Sequence, residues 1–220
     1  MITLVLALYA EGPSDNRFLP PIIQRTAERL IAQYGQRTVD VLEPMIVPRQ
    51  KGLSCDIGIL NAARHACGYH ALVVHADADD ETPYSAKTHR IHPGFKLVLD
   101  SNEQVCKDLV PIIPVQTVEA WMLADYQALR ETIGTDMSSQ NLGLPARPAL
   151  VEAVANPKRT LEEVISRAFA NHPQRRRRPD FSTRQEALAR RINLDTLASV
   201  PSYMEFVNEL RNILTVLNFI

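Results

Sequence analysis

The sequence has few cysteines and no long apolar run. Its three cysteines, Cys55, Cys67 and Cys106, are widely spaced and form no Cys-x-x-Cys pair. This pattern argues for a reducing compartment, with the cytoplasm expected, and against a structural zinc site. No apolar run approaches the roughly 20 residues that a membrane-spanning helix needs. We therefore expect no association with a membrane.

The chain also lacks an excess of charge of either sign. Its formal net charge of -1 provides no global attraction to nucleic acid or to a membrane. The exception is local, at Arg175, Arg176, Arg177 and Arg178, between Pro173 and Pro179. The simplest interpretation of this run is a solvated loop. The alternative is binding to a nucleic-acid backbone, without sequence preference because no aromatic residues are interleaved. A nuclear localisation signal would look similar.

The hydrophobic residues that are present, 45% of 220, suffice to bury a full core. In the first part of the chain, strand and helix patterns alternate, which predicts right-handed crossovers and a mostly parallel sheet. A linker near Gly143 and Pro148 separates this part from a helical remainder. We therefore predict an α/β domain over residues 1–142 and a helical C-terminal extension, packed on it, over residues 143–220.

Individual elements can be predicted from apolar periodicity and from turn residues. Pro20 and Pro21 fit only near the first turn of the first helix, and the polar stretch 81–94 suggests a lid or a substrate-facing loop. Capping-box patterns predict helix starts at Thr160, Ser182 and Ser202. The predicted strands are Ile2–Ala10, Val39–Val47, Ala71–His75 and Val110–Val115.

Acidic residues follow several of the predicted strands. The strand Ala71–His75 leads into Asp77, Asp79, Asp80 and Glu81, while Glu11 and Glu119 follow two other apolar runs. Asp77 and Asp79 share one side because side chains alternate along an extended chain. Ligands of open parallel sheets bind at the carboxyl ends of the strands. Converging carboxylates need a compensating cation, and their oxygen atoms favour Mg²⁺ or Mn²⁺ over zinc.

These residues resemble a known family. Ala10-Glu11-Gly12 followed by Asp15, together with Asp77-Ala78-Asp79, resembles the Toprim domain of topoisomerases, DnaG-type primases and OLD-family nucleases. The stretch from Pro114 to Asp125 and the element Asn156-Pro157-Lys158 are similar to a family of small, uncharacterised bacterial Toprim-like proteins, some of which occur in phage-defence gene neighbourhoods.

The resemblance implies a role for each matching residue. Glu11 would act as a general acid or base and as a metal ligand, and Asp77 and Asp79 would hold the metal. Glu119 would be a further ligand, and Lys158 would neutralise charge on a transition-state phosphate. Because the Asp-x-Asp motif continues into Asp80 and Glu81, the sequence leaves open which acid of this group binds the metal.

The function that follows is divalent-metal-dependent phosphoryl transfer, expected in the form of a nuclease acting on DNA or RNA. One alternative is a non-catalytic module that recruits a partner ATPase or a nucleic acid. Another is a metal-dependent phosphatase or nucleotide-processing enzyme, although a haloacid-dehalogenase-type phosphatase would need its Asp-x-Asp at the first strand. A homodimer is left open.

Plainer interpretations of single residues also remain. Glu119 could simply interact with a helix dipole. His75 could be a satisfied, semi-buried histidine or could orient a metal ligand, and the acidic group after it could be a solvated loop.

Overall fold

The computed structural model describes residues 2–170 and 181–220, so the predicted arginine cluster Arg175–Arg178 lies outside the described residues. The strands are β1 (Ile2–Leu4), β2 (Leu6–Tyr9), β3 (Val39–Val41), β4 (Met45–Ile46), β5 (Ala71–His75) and β6 (Leu109–Ile112). The helices of the first part are α1 (Pro13–Tyr34), α2 (Cys55–His65), α3 (Tyr84–Ala86), α4 (His92–Asp100), α5 (Glu119–Ala124), α6 (Tyr126–Ile133) and α7 (Ser139–Leu142). Those of the tail are α8 (Pro157–Ala168), α9 (Gln185–Arg191), α10 (Leu194–Leu197) and α11 (Pro201–Val216).

The strands form parallel sheets flanked by helices, which confirms the predicted α/β class. Four strands lie in the order β4-β2-β5-β6, and β1 pairs with β3. Leu8 is opposite Val73, which in turn is opposite Val110. β5 is buried along its whole length, as expected for a central strand covered on both faces. β6, which contains Pro111, is an edge strand, where a missing backbone N–H is tolerated.

Several local predictions were wrong. Pro20 and Pro21 lie inside the 22-residue helix α1, beyond its first turn, and both are buried there. Burial in a large core compensates for the backbone hydrogen bonds that two prolines remove. The stretch 81–94 is not a loop, because helical structure begins at Tyr84 and continues through a π-helical turn at Lys87–Ile91 into α4.

The tail helices also begin at residues other than the predicted ones. Asn156 caps α8 by accepting a hydrogen bond from the Arg159 amide at 2.9 Å, so Thr160 lies inside this helix. The helices α9 and α11 begin at Gln185 and Pro201. A capping-box pattern depends only on local spacing, whereas the helix start also depends on which residues the core buries.

The tail helices share a core with one face of the sheet. Trp121 on α5 is fully buried, and its indole Nε1 donates a hydrogen bond to Ser202 Oγ on α11 at 2.9 Å. Its ring packs edge-on against Tyr203, with 5.4 Å between the ring centroids. The other face of the sheet is covered by a smaller apolar cluster that includes residues of α2 and α4. Among the described residues, no helix has both the length and the apolar character required to cross a membrane.

Candidate metal centre

Three polar side chains meet at the carboxyl ends of β2 and β5, and we call Asp15, His75 and Asp77 the inner cluster. Asp15 lies in the first turn of α1, His75 is the last residue of β5, and Asp77 follows two residues later. Each can offer one ligand atom such that these atoms lie within 4.8 Å of one another. Asp15 Oδ2 is 3.5 Å from His75 Nδ1, and Asp77 Oδ1 is 3.3 Å from His75 Nε2.

Backbone amides hold both carboxylates in place. The Gly12 amide donates a hydrogen bond to Asp15 Oδ2 at 2.8 Å, which is the reciprocal half of a capping box at the start of α1. The Val118 amide, directly before α5, donates to Asp77 Oδ1 at 2.9 Å. In each carboxylate these contacts involve one oxygen. The other oxygen is therefore available for a ligand.

His75 is the most deeply buried member of the inner cluster, with 0% of its side chain exposed. Its ring nitrogens lie at ion-pair distance from Asp15 and Asp77, at 3.5 and 3.3 Å, but among the described residues neither nitrogen has a partner with the geometry of a hydrogen bond. A buried, unsatisfied polar group costs about 1–3 kcal/mol. Such a group calls for an explanation, and an ion or a water molecule bound to it is the usual one.

The electrostatics of the inner cluster favour a cation. Burial raises the pKa of Asp15 to about 6, which more than offsets the lowering effect of the neighbouring His75. The charges of Asp77 and Glu119 raise this pKa further, and the hydrogen bond from the Gly12 amide lowers it. Burial by itself would lower the pKa of His75, but the neighbouring Asp77, Asp15 and Glu11 reverse that effect, so its pKa is raised. Both shifts mean that this region binds protons more readily than isolated side chains do.

Glu119 lies close to the inner cluster without belonging to it. It is the first residue of α5 and is buried, and its charge acts on Asp15. A glutamate in the first turn also interacts favourably with the helix dipole. The structure is therefore compatible both with the predicted role of Glu119 near a metal and with its plainer role.

A second set of residues lies nearer the surface, and we call Glu11, Asp79 and Arg90 the outer cluster. Arg90 Nη1 is 3.4 Å from Glu11 Oε1 and 3.2 Å from Asp79 Oδ2. The side chains of Glu11 and Arg90 are about one quarter exposed, at 26% and 27%, and that of Asp79 is 64% exposed. Asp79 has a φ of 52°, in the left-handed region, where aspartate is more frequent than most residues.

A narrow cleft, partly open to solvent and with a volume of only about 10 Å³, is lined by residues of both clusters. Glu11, His75 and Arg90 line it together with Arg49, which donates a hydrogen bond from Nη1 to the backbone oxygen of Glu11 at 3.1 Å. The strand ends, the π-helical turn and the segment after β4 thus place acidic and basic side chains around one opening.

The structure brings the predicted site residues Glu11, Asp77, Asp79 and Glu119 to one edge of the sheet. Lys158 lies exposed in the first turn of α8, which packs on α5 and α7. Within the described residues, Lys158 takes no part in the contacts that join the two clusters.

Sequence reasoning did not assign Asp15 and His75 as ligands or give a role to Arg90. Two signals pointed towards the first two. Asp15 follows Gly12 at the spacing of a capping box, and His75 alternates with Asp77 along an extended chain. No local signal identifies Arg90, because its position depends on how residues 84–100 fold.

The fold and the site define an α/β protein whose parallel sheet carries a largely buried Asp-His-Asp cluster, which could hold a metal ion, at its carboxyl edge. The chain belongs to the family described as a domain of unknown function, DUF4276, whose family model matches residues 10–211. No curated protein and no solved structure matches the chain.

Proposed function

We propose that this protein is a divalent-metal-dependent phosphoryl-transfer enzyme and that it acts as a nuclease. The observation that carries the proposal is the inner cluster. Asp15 and Asp77 hold a fully buried imidazole between them, and neither imidazole nitrogen has a hydrogen-bond partner among the described residues. A metal ion bound there would satisfy an imidazole nitrogen and offset the charge of the two carboxylates.

The donor set supports Mn²⁺ or Mg²⁺. Two carboxylates provide the oxygen ligands that both ions prefer. The imidazole nitrogen is a ligand typical of transition metals, so it favours Mn²⁺ over Mg²⁺ and would also fit Zn²⁺ or Fe²⁺. Such an ion would polarise a phosphoryl oxygen and lower the pKa of a bound water. Asp15, His75 and Asp77 would hold it, while Glu119 adds negative charge nearby.

The outer cluster supplies the residues for acid–base chemistry. The Glu11 carboxylate is partly exposed and lines the cleft beside His75, so it can reach a substrate that enters from solvent. There it would act as the general acid or base. Asp79 lies on the same side and contacts the same arginine, so it can serve as a further ligand when Arg90 moves away.

The choice of a phosphodiester substrate rests on the Toprim resemblance of Glu11, Asp77 and Asp79. The occurrence of some similar bacterial proteins in phage-defence gene neighbourhoods would fit a nuclease. DNA and RNA are both substrates to be tested, and a partner ATPase is a component to be sought.

A non-catalytic interaction module is the second candidate, and one observation favours it. Arg90 already contacts Glu11 and Asp79 at 3.4 and 3.2 Å. The Arg90 guanidinium group therefore compensates the negative charge of the outer cluster without a metal ion. In such a module the clusters would stabilise the fold, and the surface would recruit a partner.

Calorimetric titration with Mn²⁺, combined with cleavage assays on DNA and RNA, separates the two candidates. For the enzyme we expect metal binding by the wild type, and loss of metal-dependent cleavage in both Asp77→Ala and Glu11→Gln with the fold retained. Asp100→Asn is a matched control, because Asp100 is an exposed acid at the end of α4. Cleavage that is unchanged in both site variants would refute the enzyme proposal.

A further inference from the structure

The edge of the sheet that holds the clusters is strongly acidic. Glu11, Asp15, Asp77, Asp79 and Glu119 lie at this edge, and Asp80 and Glu81 follow Asp79 directly in the chain. Like charges in such proximity oppose binding of a phosphate group, and a single divalent ion offsets only two of them. A phosphate-binding site at this edge therefore needs further positive groups from the protein itself.

Arg90 is one such group, and its position is set by the π-helical turn Lys87–Ile91. π-Helical turns are rare and frequently occur at functional sites. Both carboxylate contacts of Arg90 use the same atom, Nη1. A guanidinium group carries five N–H donors on three nitrogens, so a single-atom contact with each acid leaves capacity for a planar, two-point contact with phosphate.

Arg49 is the second group, and it lines the same cleft as Arg90. Its backbone lies after β4, and its Nη1 donates to the main-chain oxygen of Glu11 rather than to a carboxylate. This contact fixes the guanidinium group next to Glu11 without neutralising its charge. Arg49 is exposed, so it is accessible to a ligand from solvent.

Both arginines line one cleft together with Glu11 and His75. The same opening is therefore surrounded by the proposed general acid or base, by the buried imidazole and by the two guanidinium groups. Arginine is the side chain best suited to bidentate recognition of phosphate oxygens.

We propose that Arg49 and Arg90 bind the phosphate group of the substrate, with Arg90 exchanging its contacts to Glu11 and Asp79 for contacts to phosphate oxygens when a metal ion occupies the site. This inference rests on the proposed function, because it concerns the substrate of that reaction. It assigns phosphate binding to two residues of the α/β part, independently of the arginine cluster in the tail.

The test measures binding rather than turnover. Thymidine 5′-monophosphate is titrated into the metal-free and the Mn²⁺-loaded protein by calorimetry, with thymidine as the ligand control. We expect Arg49→Gln and Arg90→Gln each to weaken binding of the nucleotide about tenfold, the size expected for losing a charge-assisted contact. Arg90→Lys keeps the positive charge but cannot make a two-point contact with phosphate. Its affinity for the nucleotide should lie between those of Arg90→Gln and the wild type.

Arg64→Gln is the matched control variant, because Arg64 is an exposed arginine paired with Glu103 on another part of the surface. It should bind the nucleotide like the wild type. Arg90→Gln should bind Mn²⁺ at least as tightly as the wild type, because its removal releases Glu11 and Asp79. A purely structural ion pair would not give this combination of undiminished metal binding and weaker phosphate binding.

Each outcome has a defined consequence. A double variant, Arg49→Gln with Arg90→Gln, that binds the nucleotide as the wild type does would overturn the inference, and so would a wild type that binds no nucleotide with or without Mn²⁺. If the wild type binds no Mn²⁺ but shows arginine-dependent nucleotide binding, the proposed metal-dependent function fails while the phosphate-binding role stands.

Discussion

The inner and outer clusters lie side by side but differ in how their charges are compensated. In the inner cluster, Asp15 and Asp77 share a fully buried histidine whose nitrogens have no hydrogen-bond partner among the described residues. In the outer cluster, Glu11 and Asp79 contact Arg90 where solvent is close.

This difference in charge compensation indicates that the acids of the inner cluster depend on a bound ligand more than those of the outer cluster do. Exposed ion pairs contribute about 0–1 kcal/mol because water screens them, whereas buried charges cost several kcal/mol unless they are well paired. We therefore expect the inner cluster to control metal binding and stability. The outer cluster should control the entry and orientation of the substrate.

The largest expected effect is the loss of metal-dependent cleavage when an inner carboxylate is neutralised. Asp77→Asn keeps the shape and the acceptor for the Val118 amide, but it removes the charge that a metal ion requires. We predict that cleavage falls by about 10²-fold to 10³-fold, in the range of losing an essential electrostatic contact. Asp79→Asn should reduce cleavage by a smaller factor. Equal reductions of cleavage in Asp77→Asn and Asp79→Asn would contradict the division into inner and outer clusters.

Removal of the buried imidazole should have the next largest effect, on stability. His75→Ala leaves Asp15 and Asp77 without the group that lies between them, and removing one partner from a buried charged group costs about 3–5 kcal/mol. Urea denaturation of the metal-free protein measures the free energy of unfolding. His65→Ala is the control, because His65 is exposed at the end of α2, and its change should stay within about 0.5 kcal/mol.

The stability of the metal-free protein should fall as the pH rises. The folded-state pKa of Asp15 is raised from 3.8 to about 6. The contribution of this group to the free energy of unfolding is therefore complete below pH 3.8 and is lost as the pH rises through 6. The raised pKa of His75 acts in the same direction, with loss above 6.5. By linkage, Asp15 contributes at most about 3 kcal/mol to this change.

Unfolding in the presence of a chelator, at pH values between 4 and 8, measures this dependence. Asp15→Asn should flatten the curve, and Mn²⁺ should restore stability to the wild type at the upper end of the range. A wild type whose stability relative to Asp15→Asn does not change between pH 4 and 8 would disagree with a buried, protonatable Asp15.

The smallest effect is expected for the outer ion pairs. A double-mutant cycle with Asp79→Asn and Arg90→Gln should give a coupling energy below about 1 kcal/mol, because the Asp79 side chain is 64% exposed. Thermal unfolding of the four proteins gives this value. A coupling of several kcal/mol would show that the outer cluster, like the inner one, supports the fold.

Much of the sheet could be predicted from sequence because its signals are local. The strand Ala71–His75 has the predicted bounds, since an apolar run there ends in acidic residues. The first strand was predicted as Ile2–Ala10 and forms β1 and β2, with a break at Val5, whose amide donates to the His70 ring at 3.1 Å. That break depends on a residue 65 positions away, which no local pattern reveals.

The composition of the inner cluster could be predicted only in part, for a related reason. Asp77 follows a strong strand signal, whereas Asp15 reaches the cluster only because α1 begins at Pro13 and its first turn faces the end of β5. The prolines at 20 and 21 obscured that start. Arg90 was hidden in a polar stretch that lacks helical periodicity, and only tertiary packing makes the stretch helical.

The most direct test of the account is anomalous diffraction from crystals soaked in Mn²⁺. We predict one strong anomalous peak within coordination distance of carboxylate oxygens of Asp15 and Asp77 and of a ring nitrogen of His75, and the loss of that peak in Asp77→Asn. A wild-type crystal without a peak at the inner cluster, or a peak that persists unchanged in Asp77→Asn, would contradict the proposal that these three residues form a metal centre.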